Sequence, residues 1–313
     1  MNLSYPKTYR TILFLTILLG SIALSLDLGS WEVGIFIFFM VATGIPHGAT
    51  DHVVDRYVQQ ANAQKFHWGR FLFYYLGAIL LYSLCWIFLP LLSLVIFLLI
   101  SAFHFGQSQL LPMRIATNSP FRPFLYILWG GIVLWAIVGF HPEASGEILG
   151  SLFESDHINW DISLVYVTLM PAFVLWFVLM VIVSLRETLS IKSLAWETFN
   201  LVLLIVMSHE LSLLMSFAIY FGLWHSIASI SHEIHIFRKA HPQFSWKSFV
   251  QDALPFSLIS FGGIAFLLFI AQSIQSYISP YLLFFIAISV LTLPHMVFMD
   301  RFYRLPTKQS LPA

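Results

Sequence analysis

The sequence predicts an all-α protein, a polytopic integral membrane helical bundle of about ten transmembrane helices, and three observations predict it. The first is composition: of 313 residues, 59% are apolar and 17% aromatic while only 10% are charged, where a soluble domain carries about 25% charged residues. The second is a succession of apolar runs long enough to cross a bilayer, which takes about 20 residues of helix. The third is the sorting of charge between the two sides of those runs. In hydrocarbon every backbone N–H and C=O must be paired inside the segment, and runs of this length satisfy that as helices.

Taken in order, the spans fall near residues 11–27, 31–49, 70–89, 91–111, 122–140, 163–185, 195–209, 212–233, 253–275 and 280–299. The first follows Lys7 and Arg10 and has the outline of a signal peptide. It lacks a small-residue cleavage pattern and many spans follow it, so it is read as a retained first helix. Two junctions are tight, at Pro90 and at His209–Glu210, and hydropathy alone leaves eight or nine spans open. Charge decides for ten. With the N-terminus in the cytoplasm, all fifteen basic residues lie on inner segments, from Lys7, Arg10 and Arg56 through Arg186 and Lys192 to Arg301, Arg304 and Lys308. The outer segments hold acids: Asp27, Glu32, Glu143, Glu147, Glu154, Asp156, Asp161 and Glu210. A wrong count would scramble this sorting, so the positive-inside rule predicts that both termini are cytoplasmic.

Residues 1–313 are expected to form a single transmembrane helical domain, with 300–313 as a short cytoplasmic tail and the longest polar interval a loop near 141–162. Cys85 is the single cysteine, which excludes a disulfide framework. The formal net charge is zero, so no field draws the chain to nucleic acid. The expected setting is the inner (cytoplasmic) membrane of a cell, crossed many times, with the lipid bilayer as partner.

The stretch GIPHGATDH, Gly44 to His52, ends an apolar run with two histidines and an aspartate. In a helix His47 and Asp51 share a face, while His52 is turned about 140° away. Two readings fit: an imidazole oriented by, or ligating beside, a carboxylate, or a helix end broken by Pro46 and Gly48. Three further histidines favour the first. His104 in FHFG, His225 in LWHS and His295 in LPHM each lie in an even-numbered span, as His47 does. Counted from the outer ends, the four fall within about 5 Å of one another in depth. Each alone can be a helix-interface histidine bonded to a carbonyl or a serine. Four in one layer of the membrane are a functional candidate, because buried ionisable groups are costly there. Neutral imidazoles with open positions suit iron or zinc, and Asp51 and Asp300 are candidate carboxylate partners.

The remaining histidines are weaker. His141, His157 and His209 belong to outer loops or their edges, and His52, His67 and His241 to inner ones, where solvated or interfacial rings are expected. His232, Glu233 and His235 form an HEIH cluster that departs from the HExxH zinc signature, and only His232 is kept in reserve. Among the aromatics, Tyr220, Phe221 and Trp224 precede His225 and Phe103 and Phe105 flank His104, positions from which they can line a slot for a long flat polyene.

PHGATD around His47, FHFG around His104, WHS at His225 and LTLPHM followed by Asp300 resemble, in order and approximate spacing over about residues 40–300, the motifs of the bacteriorhodopsin-related-protein-like family of integral membrane β-carotene 15,15′-dioxygenases. The resemblance implies an iron-dependent enzyme that cleaves β-carotene at its central double bond with dioxygen, giving two molecules of retinal, often for a microbial rhodopsin. It implies ligands at His47, at His104 and at a pair four residues apart in the WHS segment. The first of that pair is His225; the second position holds Ser229. Gln109 likewise stands where the family pattern has an aspartate. The expected centre is therefore Fe(2+) on His47, His104 and His225, completed by His295 or, in reserve, His232, or left with more open positions, with Asp51 and Asp300 orienting the ligands and a carotenoid and O2 as substrates. The two departures leave open a member that cleaves or binds a different polyene, or that binds a carotenoid or retinal without reacting. A membrane di-iron desaturase would need HxxxH and HxxHH boxes in the inner loops, and a transporter an inverted repeat; neither is seen in the sequence.

Overall fold

The computed structural model describes residues 7–153, 158–187, 189–273 and 280–305, and all its regular elements are helices. Expectations that fall on Glu154, Asp156, His157, Lys308 and most of the 300–313 tail lie outside the described residues. Among the described residues ten helical stretches are long and apolar enough to cross a membrane: Thr8–Ser25, Trp31–Ala61, Trp68–Phe88, Pro90–Met113, Arg122–Gly139, Ile162–Glu187, Ile191–Glu210, Leu213–Ala240, Trp246–Ser273 and Leu282–Tyr303. They match the ten expected spans one for one. Large apolar side chains stand on the surface, Phe73, Leu80 and Leu81 among them at 63–75% exposure. That is the surface a hydrocarbon solvent selects.

Two expectations on extent are corrected. The second, eighth and ninth spans run well beyond their apolar cores: amphipathic turns continue the second and eighth after the apolar run has ended and precede it in the ninth, which begins at Trp246. The loop near 141–162 carries a helix of its own, Pro142–Leu152.

The helices, in chain order, are α1 (Lys7–Ser25), α2 (Trp31–Phe39), α3 (Ile45–Gly48), α4 (Asp51–Ala61), α5 (Trp68–Phe88), α6 (Pro90–Leu110), α7 (Arg122–Gly139), α8 (Pro142–Leu152), α9 (Ile162–Glu187), α10 (Ile191–Glu210), α11 (Leu213–Phe217), α12 (Ala228–Ala240), α13 (Trp246–Ser273) and α14 (Pro280–Tyr303). Two π-helical segments, Met40–Gly44 and Ala218–Ile227, lie between α2 and α3 and between α11 and α12. By contacts the chain gathers into two compact units. One comprises Met1–Val41, Ser101–Glu147 and Asp156–Ala228, the other Ala42–Ile100, Ile148–Ser155 and Ser229–Ala313.

In the first unit α7, α9 and α10 pack on one another, while α1, α2 and α11 pack on the π segment Ala218–Ile227. Trp129, Trp176 and Trp224 are fully buried in its core. The Trp224 indole N–H does not go unpaired there, since it donates to Thr16 Oγ1 at 2.8 Å. The N-terminal part of the unit is tied to α11 by Ser212 Oγ, which donates to Glu32 Oε2 at 2.6 Å. Helices α6 and α7 meet backbone to backbone. A Cβ on Gly106 would run into the Tyr126 carbonyl, and one on Gly130 into the carbonyl of Ala102. Between membrane helices small residues permit such approach, where apolar side chains gain nothing over lipid tails.

In the second unit α14 packs along α4 and α5, and the short α3 is held by α13 and α14. The corner from α5 to α6 is made by Leu89 and Pro90. Leu89 leaves the helical region, at φ −139° and ψ 58°, the direction in which a following proline biases it, and Pro90 then starts α6 where its missing N–H costs nothing. Tyr82 and Trp86 of α5 are buried against Leu94 and Val290, and the Tyr82 hydroxyl donates to the Ser93 carbonyl at 2.7 Å.

Candidate metal centre

The second unit buries His47 and His295 together. His47 follows the π segment Met40–Gly44 and Pro46. Proline has no N–H to give and crowds the carbonyl four residues back, so the helix widens just before it, and α3 carries His47 inward at 2% exposure. Pro294 likewise precedes His295 inside α14. The rings of His47 and His295 lie edge to face with centroids 4.5 Å apart. His295 Nδ1 donates to Asp51 Oδ1 at 2.7 Å. His47 Nδ1 lies 3.0 Å from Glu233 Oε1, off the straight line of an ideal hydrogen bond. Thr50 Oγ1 is bonded to Glu233 Oε2 at 3.2 Å and to the His47 carbonyl at 3.0 Å. A carboxylate on Nδ1 selects the tautomer whose lone pair is on Nε2, the arrangement of histidines that ligate metals.

The first unit buries a second pair. His104 comes from α6, two residues before Gly106, so the close α6–α7 crossing fixes its position. His225 comes from the π segment Ala218–Ile227. Such wide turns shift the helical register and recur at functional sites. The two rings are edge to face with centroids 5.0 Å apart, and His225 Nδ1 is 3.4 Å from Ser108 Oγ. Phe105 and Phe221 lie against the His225 ring at 4.7 and 5.4 Å. Phe221 stacks on Phe217 at 5.2 Å, and Phe217 meets Phe36 at 5.9 Å. Tyr220 and Trp224, expected among the slot-lining aromatics, are buried in the same core as Phe105, with Tyr220 5.2 Å from its ring.

The other predicted residues fall as follows. Ser229 is buried and accepts a bond from the Tyr303 hydroxyl at 3.4 Å. Gln109 Nε2 donates to Glu197 Oε1 at 2.9 Å, both side chains being buried. An aspartate at 109 would set carboxylate against carboxylate there, which gives the departure a physical reason. Asp300 forms an ion pair with Arg304 one turn on, at 2.8 Å. His232 packs near the rings of Phe302 and Tyr303. His52, expected at a solvated or interfacial edge, is 6% exposed, stacked on Trp68 and packed at a tilt against Phe256, because α4 continues past it.

Sequence reasoning passed over Glu233 and Glu197, both fully buried. The signal was available, since an acid inside a predicted span of a chain with so few charges is a functional candidate by default. The donor chemistry fits a transition metal. Buried imidazoles backed by carboxylates suit iron or zinc, whereas magnesium and calcium would call for oxygen ligands.

A family model described as beta-carotene 15,15′-dioxygenase matches residues 38–303. The chain is similar to a protein of an uncultured marine bacterium (66A03) named beta-carotene 15,15′-dioxygenase, with 28% identity over 271 residues, 85% of this chain and 92% of the relative. No solved structure matches.

Proposed function

From the premise that this chain belongs to the beta-carotene 15,15′-dioxygenase family and is a carotenoid-cleaving dioxygenase, we propose that it holds one ferrous ion on His47, His104, His225 and His295. We propose further that it splits β-carotene at the central 15,15′ double bond into two molecules of retinal. The observation that carries the metal assignment is the pairing within each unit: His47 with His295 and His104 with His225, all four buried. Their common depth in the membrane, read from the sequence, supports bringing the two pairs to one ion. His295 then fills the role that the family gives to the position of Ser229. Asp51 is the carboxylate that holds His295, and Asp300 fastens the end of α14 to Arg304.

When bound, ferrous iron on neutral imidazoles supplies open positions and electrons for activating dioxygen toward addition across a C=C bond. The chain's own residues do the rest. Asp51 keeps Nδ1 of His295 protonated and its ring oriented. Phe105 and Phe221 close over His225 and present flat apolar faces to a polyene. Buried aromatic surroundings keep bulk water from the reacting double bond. The substrate dissolves in the hydrocarbon layer, so a centre at membrane depth meets it without a desolvation step. The multi-pass chain is assigned to the inner membrane with both termini in the cytoplasm, and the retinal released there is available to a microbial rhodopsin.

The test is expression in a β-carotene-producing bacterial host supplied with iron, following the orange colour and retinal by chromatography. Retinal is expected from the native chain and not from His104→Ala. Persistent colour and no retinal, with the native protein present in the membrane, would sink the assignment for β-carotene.

A further inference from the structure

We propose that Glu233 is a positioning residue for the metal, acting through His47. It holds the imidazole with Nδ1 protonated and Nε2 directed to the ion, as Asp51 does for His295. The inference rests on the reading of His47 as a ligand.

Glu233 is fully buried on α12, in a stretch long and apolar enough to cross the membrane. A carboxylate costs several kcal/mol to bury unless it is paired and hydrogen-bonded, so its partners indicate its use. Those partners belong to one short segment: His47 Nδ1 at 3.0 Å from one carboxylate oxygen and Thr50 Oγ1 at 3.2 Å from the other. Thr50 is also bonded to the His47 carbonyl at 3.0 Å. The single hydroxyl proton is therefore shared between two acceptors, the backbone that carries the histidine and the carboxylate beside its ring. Of the HEIH cluster only Glu233 turns to this segment. Its neighbour His232 packs toward Phe302 and Tyr303, and His235 is exposed. Among the described residues Glu233 has His47 as its ion-pair partner, so the acid does not serve to neutralise a lysine or an arginine.

The geometry also specifies what a substitution removes. A carboxylate has only acceptors to offer Nδ1, which enforces one tautomer. An amide can turn either its oxygen or its NH2 to the ring, so Glu233→Gln keeps the shape and loses that selection.

The test measures iron affinity of the full-length protein in detergent by chelator competition, with iron per chain by elemental analysis and the visible spectrum after cobalt(II) loading. Removal of a ligand's carboxylate partner generally weakens metal binding about 10–100-fold. Glu233→Ala is expected within that range and Glu233→Gln near its lower end, each with an altered cobalt spectrum and metal-free thermal unfolding close to native. Thr50→Val is expected to weaken binding less, in the same direction. Native affinity and spectrum in Glu233→Gln would overturn the inference, and that variant decides alone if Glu233→Ala does not fold. A native chain that binds neither iron nor cobalt would bring down the metal reading itself, and the inference with it.

Discussion

His295 Nδ1 donates a 2.7 Å hydrogen bond to Asp51, a residue 244 positions earlier in the chain, and both side chains are almost wholly shielded. The first turn of α4 and the middle of α14 thus meet at one atom pair. Asp51→Asn keeps the shape but lets the side chain present either an oxygen or an NH2 to the ring. Iron affinity is expected to fall about 10–100-fold, with retinal formation falling in step unless excess iron is supplied. Native affinity in this variant, measured by chelator competition, would show that Asp51 does not hold a ligand.

The position where the family resemblance implies a ligand is occupied here by Ser229, whose hydroxyl is bonded to Tyr303. If His295 has taken over the role, Ser229→Ala should retain iron. The cost to stability should be at most about 1 kcal/mol, the scale of one hydrogen bond. His295→Ala should lose iron as His104→Ala does. Iron retained by His295→Ala and lost by Ser229→Ala would reverse the assignment.

Gly106 and Gly130 allow α6 and α7 to touch along their backbones, and His104 sits on that seam. Alanine at either glycine forces the helices apart, with an expected cost of about 1–3 kcal/mol from overpacking and a loss of iron because His104 moves. Gly262 in α13 faces open space. Alanine there should be neutral or stabilise by about 0.5–1 kcal/mol, the helical preference of alanine over glycine. Thermal unfolding in detergent compares the three, and equal behaviour at all of them would refute the close-contact explanation.

Gln109 and Glu197 form a donor–acceptor pair inside the first unit. Gln109→Asp removes the donor and adds a second acid, so stability should drop by at least about 1–3 kcal/mol, the cost of a buried group left without its partner. Adding Glu197→Gln should restore most of it, with a coupling energy of about 0.5–3 kcal/mol between contacting sites. Strictly additive effects in this cycle would show that the contact does not explain the departure from the family pattern.

The count of helices was readable because charge sorts between the two faces even where hydropathy blurs a junction: Arg70 and Arg114 share the inner face only if the chain turns between them, as it does at Pro90. The burial of His47, His104, His225 and His295 was readable for a related reason, since four ionisable side chains at one depth of a membrane are costly to place there without a use. Asp51 was readable from its spacing to His47 alone, although its partner proved to be His295. What escaped depended on register or on tertiary contact. The π segment Ala218–Ile227 leaves no hydropathy signature, yet it sets the direction of His225. Glu233 looked like the middle of an incomplete zinc motif, and only the fold brings it to a histidine 186 positions earlier. His52 reads as a polar helix exit until the continuation of α4 buries it against Trp68 and Phe256.

The two acids behind His47 and His295 also bear on the redox preference of the proposed ion. Once ionised, Asp51 and Glu233 would set two negative charges beside the rings, enough to balance a divalent ion. A trivalent ion in the same place would leave one positive charge uncompensated in a medium of low dielectric constant, where charges interact far more strongly than in water. Without either acid that excess would grow, so removing Asp51 or Glu233 should raise the midpoint potential of the proposed ion.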